Sequence, residues 1–359
     1  MLNEQDCLNL IRDLSNAPGA SGFEDEVVSA LRRSVSSLGR MEEDTLRNLY
    51  LYRNEHDDDK PVIQLDSHTD EVSFIVQAVK PNGTLRFLEL GRWVAAGLTS
   101  QKVRVRNRFG EYIPGIITST PPHFATEAQK HAAPDSASMT IDIGAASAEE
   151  AVNAYGIRIG EPVVADVSFH YDEAHDIMMG KAFDCRLGCA AAAATLHALK
   201  GETLAVNPVG AWACQEEVGT RGAVVTAQRV RPAAAIVFEG CPADDTVAES
   251  YMIQTAIKKG PMLRHIDARM ITHPRFQRFS LDLGEKLGIP VQSAVRSGGS
   301  TNGAPIHLSG LGVPCIVIGL PVRYIHTHHG IASYADFDSA VKLACAVLRE
   351  LNAHVLKEF

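Results

Sequence analysis

VGAWACQEEVGTRGA, residues 209–223, is the stretch on which the fold reading turns. It opens as a short apolar run of strand length, too short for a buried helix. It then delivers two adjacent carboxylates, Glu216 and Glu217, just before Val218-Gly219. In a solvated loop such a pair would mean nothing. At a strand end neighbouring side chains diverge, so one Glu can bind a metal while the other faces a substrate water as base. A base so placed contributes typically about 10²–10⁴-fold to rate.

Working outward, strands and helices alternate on both sides. DCRLGCAAAAATLHAL (184–199) reads as a helix whose alanines allow close packing. AAIVFEG (234–240) and VPCIVIGLP (313–321) read as buried strands. HPRFQRFSLDLGEKLG (273–288) and FDSAVKLACAVLREL (337–351) read as helices. This alternation predicts an α/β sandwich of three layers, α/β/α, around a largely parallel sheet. Open sheets of this kind place their sites at strand ends, where the polar residues of this chain cluster.

The N-terminal part begins with a helix carrying Leu8, Leu10, Ile11 and Leu14 on one face, broken at Pro18-Gly19. Ser21-Gly22-Phe23-Glu24 has the spacing of a capping box for a second helix, buried through Val27, Val28, Leu31 and Val35. Residues 61–79 read as strand material with polar groups in the middle. From about 80 to 145, short β-rich stretches alternate with turns, and Arg108-Phe109-Gly110 fits a hairpin turn. Residues 121–138 are polar and Pro-rich, hence a loop. Ser147 and Glu150 repeat the capping-box spacing. This block is expected to be a small β-rich insert.

The composition is that of an ordinary globular chain: 45% apolar and 21% charged residues over 359 positions argue against disorder. A net charge of −9 disfavours a nucleic-acid partner, because there is no basic excess to neutralise phosphates. No stretch approaches the roughly 20 apolar residues of a membrane span. The start of the chain is acidic and amphipathic, unlike a secretory signal. Seven scattered cysteines without a C-x-x-C pair suit reduced, buried thiols and a cytoplasmic setting.

Each remaining candidate has a bland alternative. His68 and Asp70 are two apart in strand material, so both point to one side, and Asp70 can accept the free imidazole N–H and orient His68 for a metal. Alone, H-x-D is a frequent coincidence. Asp184 opens the Ala-rich helix and could be an N-cap or could bridge two cations. Glu239 ends a buried strand, where an ionised Glu needs a partner, a salt bridge being the plain option. His326, followed by His328 and His329, is either part of a surface loop or a second imidazole ligand. Together, two histidines and three carboxylates at strand ends form the ligand set of a two-metal hydrolase. Imidazole and carboxylate donors suit zinc, cobalt or manganese.

HTDEV (68–72), KAFDCRLG (181–188), QEEVGTRGA (215–223), FEG (238–240) and GLPVRYIHT (319–327) occur in the order of the tetrahedral (TET) aminopeptidases, which this chain resembles. SGFEDEV (21–27) and KGPMLRHID (259–267) extend the resemblance over nearly the whole chain. That metallopeptidase family includes glutamyl and deblocking aminopeptidases and proteins called cellulase M, frv-operon or endoglucanase-like. The resemblance implies a zinc-peptidase-like catalytic domain of residues 1–72 and 163–359, with residues 73–162 as an inserted PDZ-like or barrel domain for assembly. It implies that His68 and Glu239 hold one metal, Glu217 and His326 the other, and Asp184 both. Asp70 would orient His68, and Glu216 would be the general base and later proton donor. It further implies peptide substrates and a homo-oligomer, commonly a dodecamer built from dimers around an internal chamber. Cys185 stands where the family has Asp or Asn, Glu239 where many members have Asp, and Ser73 where a Gly is usual. Gly299-Ser300-Thr301-Asn302 replaces Gly-Thr-Asp-Ala in a segment expected near the site. His123, Arg323, His328 and His329 are weighed as substrate contacts against structural or solvent-facing roles. Competing functions are an endoglucanase-like glycoside hydrolase, which needs two carboxylates flanking a sugar bond, and a non-catalytic assembly protein.

Overall fold

A computed structural model describes residues 2–121 and 123–359. Its main sheet has eight strands, in spatial order Gly39–Glu43, Leu49–Arg53, Asn207–Ala213, Val62–His68, Ala234–Pro242, Cys315–Val322, Met262–Ile266 and Gln292–Val295. The four central strands, from Asn207–Ala213 to Cys315–Val322, run parallel, so their C-terminal ends meet at one edge. Being covered on both faces, three of them read as largely apolar runs, while Val62–His68 buries Gln64, Asp66, Ser67 and His68. Asn207–Ala213 is buried along its whole length.

Helices cover both faces, which bears out the three-layer expectation. On one side the helices Glu4–Asn16, Asp25–Val35, Phe183–Ala198, Pro274–Leu287 and Tyr334–Glu350 pack into the largest apolar core. On the other, Arg221–Val230 and Gly303–His307 close a smaller core through Ala223, Ala227 and Ile306. The alanines at 190–194 are all buried, which lets their helix lie close to the sheet. Gly240 serves the same approach: a Cβ there would sit 2.6 Å from the Cα of Asp184.

The β-rich insert is a closed six-stranded barrel formed by Ser73–Val79, Leu85–Leu90, Thr140–Asp142, Tyr112–Thr118, Lys102–Arg106 and Pro162–Ala165. Its strands alternate as the period of two requires. Val103 and Val105 are buried, while the intervening basic side chains reach outward. Residues 61–79 therefore divide between two sheets, with Thr69–Val72 as the crossing. The turn at 108–110 forms as expected, Gly110 taking φ +83° and donating its N–H to the Asn107 carbonyl at 3.0 Å.

Several local expectations are corrected. Residues 121–138, of which Pro122 lies outside the described residues, include a short helix at Glu127–His131 and a 3₁₀ turn at Ser136–Ser138. Ser147 caps its helix by accepting the Glu150 N–H at 3.1 Å, but Glu150 accepts from Ala146 rather than closing the box on Ser147. Ser21 and Glu24 make no capping box; their side chains reach Asp70 and Gln215 instead, at the C-terminal edge of the central strands. Among the described residues no helix is long and apolar enough to cross a membrane.

Candidate metal centre

At the C-terminal edge of the central strands, the five expected ligands converge. Val237 pairs with Asp66, so Glu239, two residues on, lies level with His68 on the neighbouring strand. Glu239 is inside its strand rather than at the end, because Ala234–Pro242 runs three residues past it. His68 Nε2 lies 3.0 Å from Asp184 Oδ1 and 3.2 Å from Glu239 Oε1. The other Asp184 oxygen faces the second imidazole: His326 Nε2 is 3.3 Å from Asp184 Oδ2 and 3.6 Å from Glu217 Oε2. Asp184 thus offers one oxygen to each half. Its carboxylate is turned to the two histidines rather than to the N–H groups of the helix it precedes.

Two donor groups result. His68, Asp184, Cys185 and Glu239 form one, and Asp184, Glu217 and His326 the other, each with its ligand atoms within 4.8 Å of one another. Cys185, the departure from the family pattern, donates its thiol to the Phe238 carbonyl at 3.2 Å and is pushed well above the usual thiol range, chiefly by burial.

Asp70 supports the centre from below. His68 Nδ1 sits 3.2 Å from the Asp70 carbonyl and 3.3 Å from its Oδ1, which leaves Nε2 toward the acids. The same carboxylate accepts the backbone N–H of Glu216 at 2.8 Å and of Glu217 at 3.1 Å. Next to it, buried Glu71 takes Lys181 Nζ at 2.6 Å and Arg186 at 3.2 Å, tying the 68–72 crossing to the start of the Ala-rich helix. Sequence reasoning missed this triad, since a lone Glu, Lys and Arg far apart carry no spacing signal.

The acids are crowded. Burial pushes Glu239 up to about 7, with His68 opposing. Burial pushes Glu216 up to about 8, with Glu239 and Asp184 adding to it. Glu217 is raised well above the carboxylate range by burial and then by Asp184, and its Oε1 is buried without a hydrogen-bond partner. A low-dielectric pocket of carboxylates and imidazoles with an orphaned carboxylate oxygen is chemically matched to divalent cations.

The other weighed residues fall elsewhere. Arg323 is paired with Asp245 at 2.6 Å, and His329 and His123 are exposed. His328 is buried against Trp93 of the barrel, ring centroids 5.0 Å apart. Of residues 299–302, Asn302 reaches the sheet, donating to Asp66 Oδ1 at 2.7 Å, two residues below His68.

Residues 48–343 match the family model of M42 glutamyl aminopeptidase. The chain is 29% identical to the glutamyl aminopeptidase of Lactococcus lactis subsp. cremoris (strain MG1363), covering 97% of each chain. The crystal structure of a TET aminopeptidase from the marine sediment archaeon Thaumarchaeota archaeon SCGC AB-539-E09 superposes with a TM-score of 0.94 at 34% identity, covering 98% of this chain and 99% of that one. The Pyrococcus horikoshii TET1 peptidase, described as able to assemble into a tetrahedron or a large octahedral shell, shares the fold at a TM-score of 0.85 and 24% identity, over 96% of this chain and all of that one. This chain belongs to the M42 glutamyl aminopeptidase family of metal-dependent peptidases, and it is an aminopeptidase.

Proposed function

We propose that this aminopeptidase works with two divalent metal ions, one held by His68 and Glu239, the other by Glu217 and His326, with Asp184 shared. The observation that carries the reading is the division of Asp184, whose two oxygens face different imidazoles at 3.0 and 3.3 Å. Zinc or cobalt suits the donor set best, and manganese also fits it. When bound, such a pair polarises the scissile carbonyl and lowers the pKa of the attacking water.

The chain supplies the rest. Glu216 is the general base: it takes a proton from the attacking water and returns it to the leaving amine. Its neighbour Glu217 reaches His326 at 3.6 Å, so that acid can bind while Glu216 transfers protons. Asp70 holds His68 in one tautomer through Nδ1, leaving the Nε2 lone pair free to ligate. The glycosidase alternative loses ground, because the acids converge on two imidazoles instead of flanking an open gap.

Peptides with a free N-terminus are the substrates. The barrel, which we assign to an inserted unit of residues 73–162, serves assembly into a homo-oligomer. Apolar side chains exposed on its surface, among them Phe109 and Ile159, support that role, as does the shell described for the Pyrococcus horikoshii relative. Seven free, buried cysteines support a reducing, cytoplasmic setting.

The test is metal analysis joined to a panel of aminoacyl and peptide substrates with zinc, cobalt or manganese. Two ions per chain, stepwise release of N-terminal residues and loss of release on chelation are expected. Fewer than one ion after reconstitution, or release indifferent to chelator, would overturn the two-metal reading.

A further inference from the structure

The Ser-x-x-Glu spacing at 21–24 has no use at its own helix, and its side chains lead to the site. Ser21 Oγ donates to Asp70 Oδ2 at 2.6 Å. Glu24 Oε1 accepts the N–H of Gln215 at 3.1 Å and that of Gly22 at 2.8 Å. The turn carrying the base therefore has three successive amides gripped by carboxylates from outside it. Gln215 is held by Glu24, Glu216 by Asp70 Oδ1 at 2.8 Å, and Glu217 by Asp70 Oδ2 at 3.1 Å.

That grip matters because the turn is not at rest in its conformation. Gln215 has φ +54°, a left-handed value that a non-glycine residue holds only when its surroundings impose it. The turn's carbonyls are occupied internally: Glu216 O takes the N–H of Gly219 at 2.8 Å and of Thr220 at 2.7 Å. Its leading N–H groups have no such internal partner, and the two carboxylates supply one. Ser21 and Glu24 are themselves fixed, at 8% and 1% exposure, by the bridge that lays Ala20 beside Glu71.

We propose that Ser21 and Glu24 are positioning residues for catalysis, clamping the Gln215–Glu217 turn so that Glu216 faces the substrate water while Glu217 faces Asp184 and His326. The clamp acts on two levels. Glu24 holds the turn directly through the amide of the strained residue. Ser21 holds Asp70, whose two oxygens then reach successive amides at once. A displacement of the base by about 1 Å is enough to cost about 10²-fold in rate. The proposal rests on the reading of Glu216 as the base.

The test compares Ser21→Ala, Glu24→Ala and Glu24→Gln in the full metal-loaded chain, by kcat, KM, thermal midpoint and amide hydrogen exchange. Ser21→Ala and Glu24→Ala are expected to lower kcat by about 10-fold to about 100-fold with KM nearly unchanged. Glu24→Gln keeps a carbonyl oxygen for both amides and should restore most of the rate, which a demand for charge or mere burial would not predict. The Glu216 and Glu217 amides should exchange faster in Ser21→Ala, with barrel amides unaltered. The proposal is overturned if the alanine variants keep wild-type kcat while folded, if Glu24→Gln is as slow as Glu24→Ala, or if exchange at 216 and 217 does not change. Should Glu24→Ala not fold, Ser21→Ala and the exchange measurement decide it. A wild-type chain that carries metal but releases no residue would sink the assignment of the base, and the exchange result would still judge the clamp.

Discussion

The two halves of the candidate centre are built differently. His68 and Glu239 come from adjacent parallel strands, are 1% and 4% exposed, and owe their spacing to the ladder of the main sheet. Glu217 and His326 come from turns, and the His326 side chain keeps 32% of its exposure. Tyr324 and His326 both have positive φ, at 61° and 58°. Beside the grip of Asp70 and Glu24 on the Glu217 turn, this second half is steadied by the barrel. Val94 donates its N–H to the His326 carbonyl at 3.2 Å, Gly91 lies against Glu217, and Trp93 covers His328. A sheet holds its ligands wherever the fold exists. Turns hold theirs only while their neighbours do, so the second half should be the weaker metal site and the one that responds to the barrel.

Removing one imidazole from each half gives the largest contrast. His68→Ala leaves buried Glu239 without its imidazole partner, while Asp184 keeps only His326, and breaking a buried pair of this kind costs roughly 3–5 kcal/mol. It should abolish activity and leave less than one ion per chain. His326→Ala should keep one ion, held by the sheet half, with little loss of thermal midpoint. Equal metal loss in both variants would break the comparison. Glu216→Gln comes next: rate should fall by about 10²–10⁴-fold with both ions retained. Loss of metal with the rate would instead make Glu216 a ligand.

Legibility from sequence does not follow that division. The parallel sheet was legible because most of its strands, buried on both faces, are largely apolar runs; H-x-D alone was a weak signal for His68, whose strand ends at His68 with Asp70 beyond it. In the turn-borne half the paired Glu216 and Glu217 were the more telling signal, and the inward placement of His326 was the part that stayed hidden. Nothing in GLPVRYIHT shows that His326 turns inward while His329 stays exposed, since that depends on two left-handed residues and a barrel loop more than 200 positions away. Asp184 by itself read better as an N-cap, because the start of a helix favours that use; the imidazoles that face its two oxygens come from a distant strand and turn. Ser21 and Glu24 had a visible spacing, but its meaning required Asp70 and Gln215 to be brought beside it.

A smaller effect should come from the barrel itself. Gly91 has φ +86°, and a Cβ there would lie 2.8 Å from Val72 Cγ1 and 3.2 Å from both Cβ and Oε2 of Glu217. Gly91→Ala must therefore push on a ligand of the turn-borne half without touching the sheet. Its expected outcome is a weakening of one ion by about 10–100-fold, the range seen when groups supporting a metal ligand are disturbed. Competition with a chelator should resolve two affinities, of which only the weaker moves. A parallel shift in both would mean that the halves are coupled through Asp184 more tightly than the geometry suggests.

The smallest effect concerns stability in acid. Burial holds His328 down to about 4, with His329 adding to it, against an unfolded value of 6.5. Between those values the unfolded chain binds more protons than the folded one, so stability drains as pH falls from about 6.5 and the loss is complete below about 4. By about pH 5 the single group accounts for on the order of 2 kcal/mol. His328→Phe keeps a ring against Trp93 and carries no such proton. Urea titrations of the metal-free chain at about pH 7.5 and about pH 5 should show wild type losing ground to the variant only at the lower pH. An identical pH dependence in both would mean that His328 is hydrated or paired in solution, and the barrel's seal over the turn-borne half would then be looser than the packing of Trp93 implies.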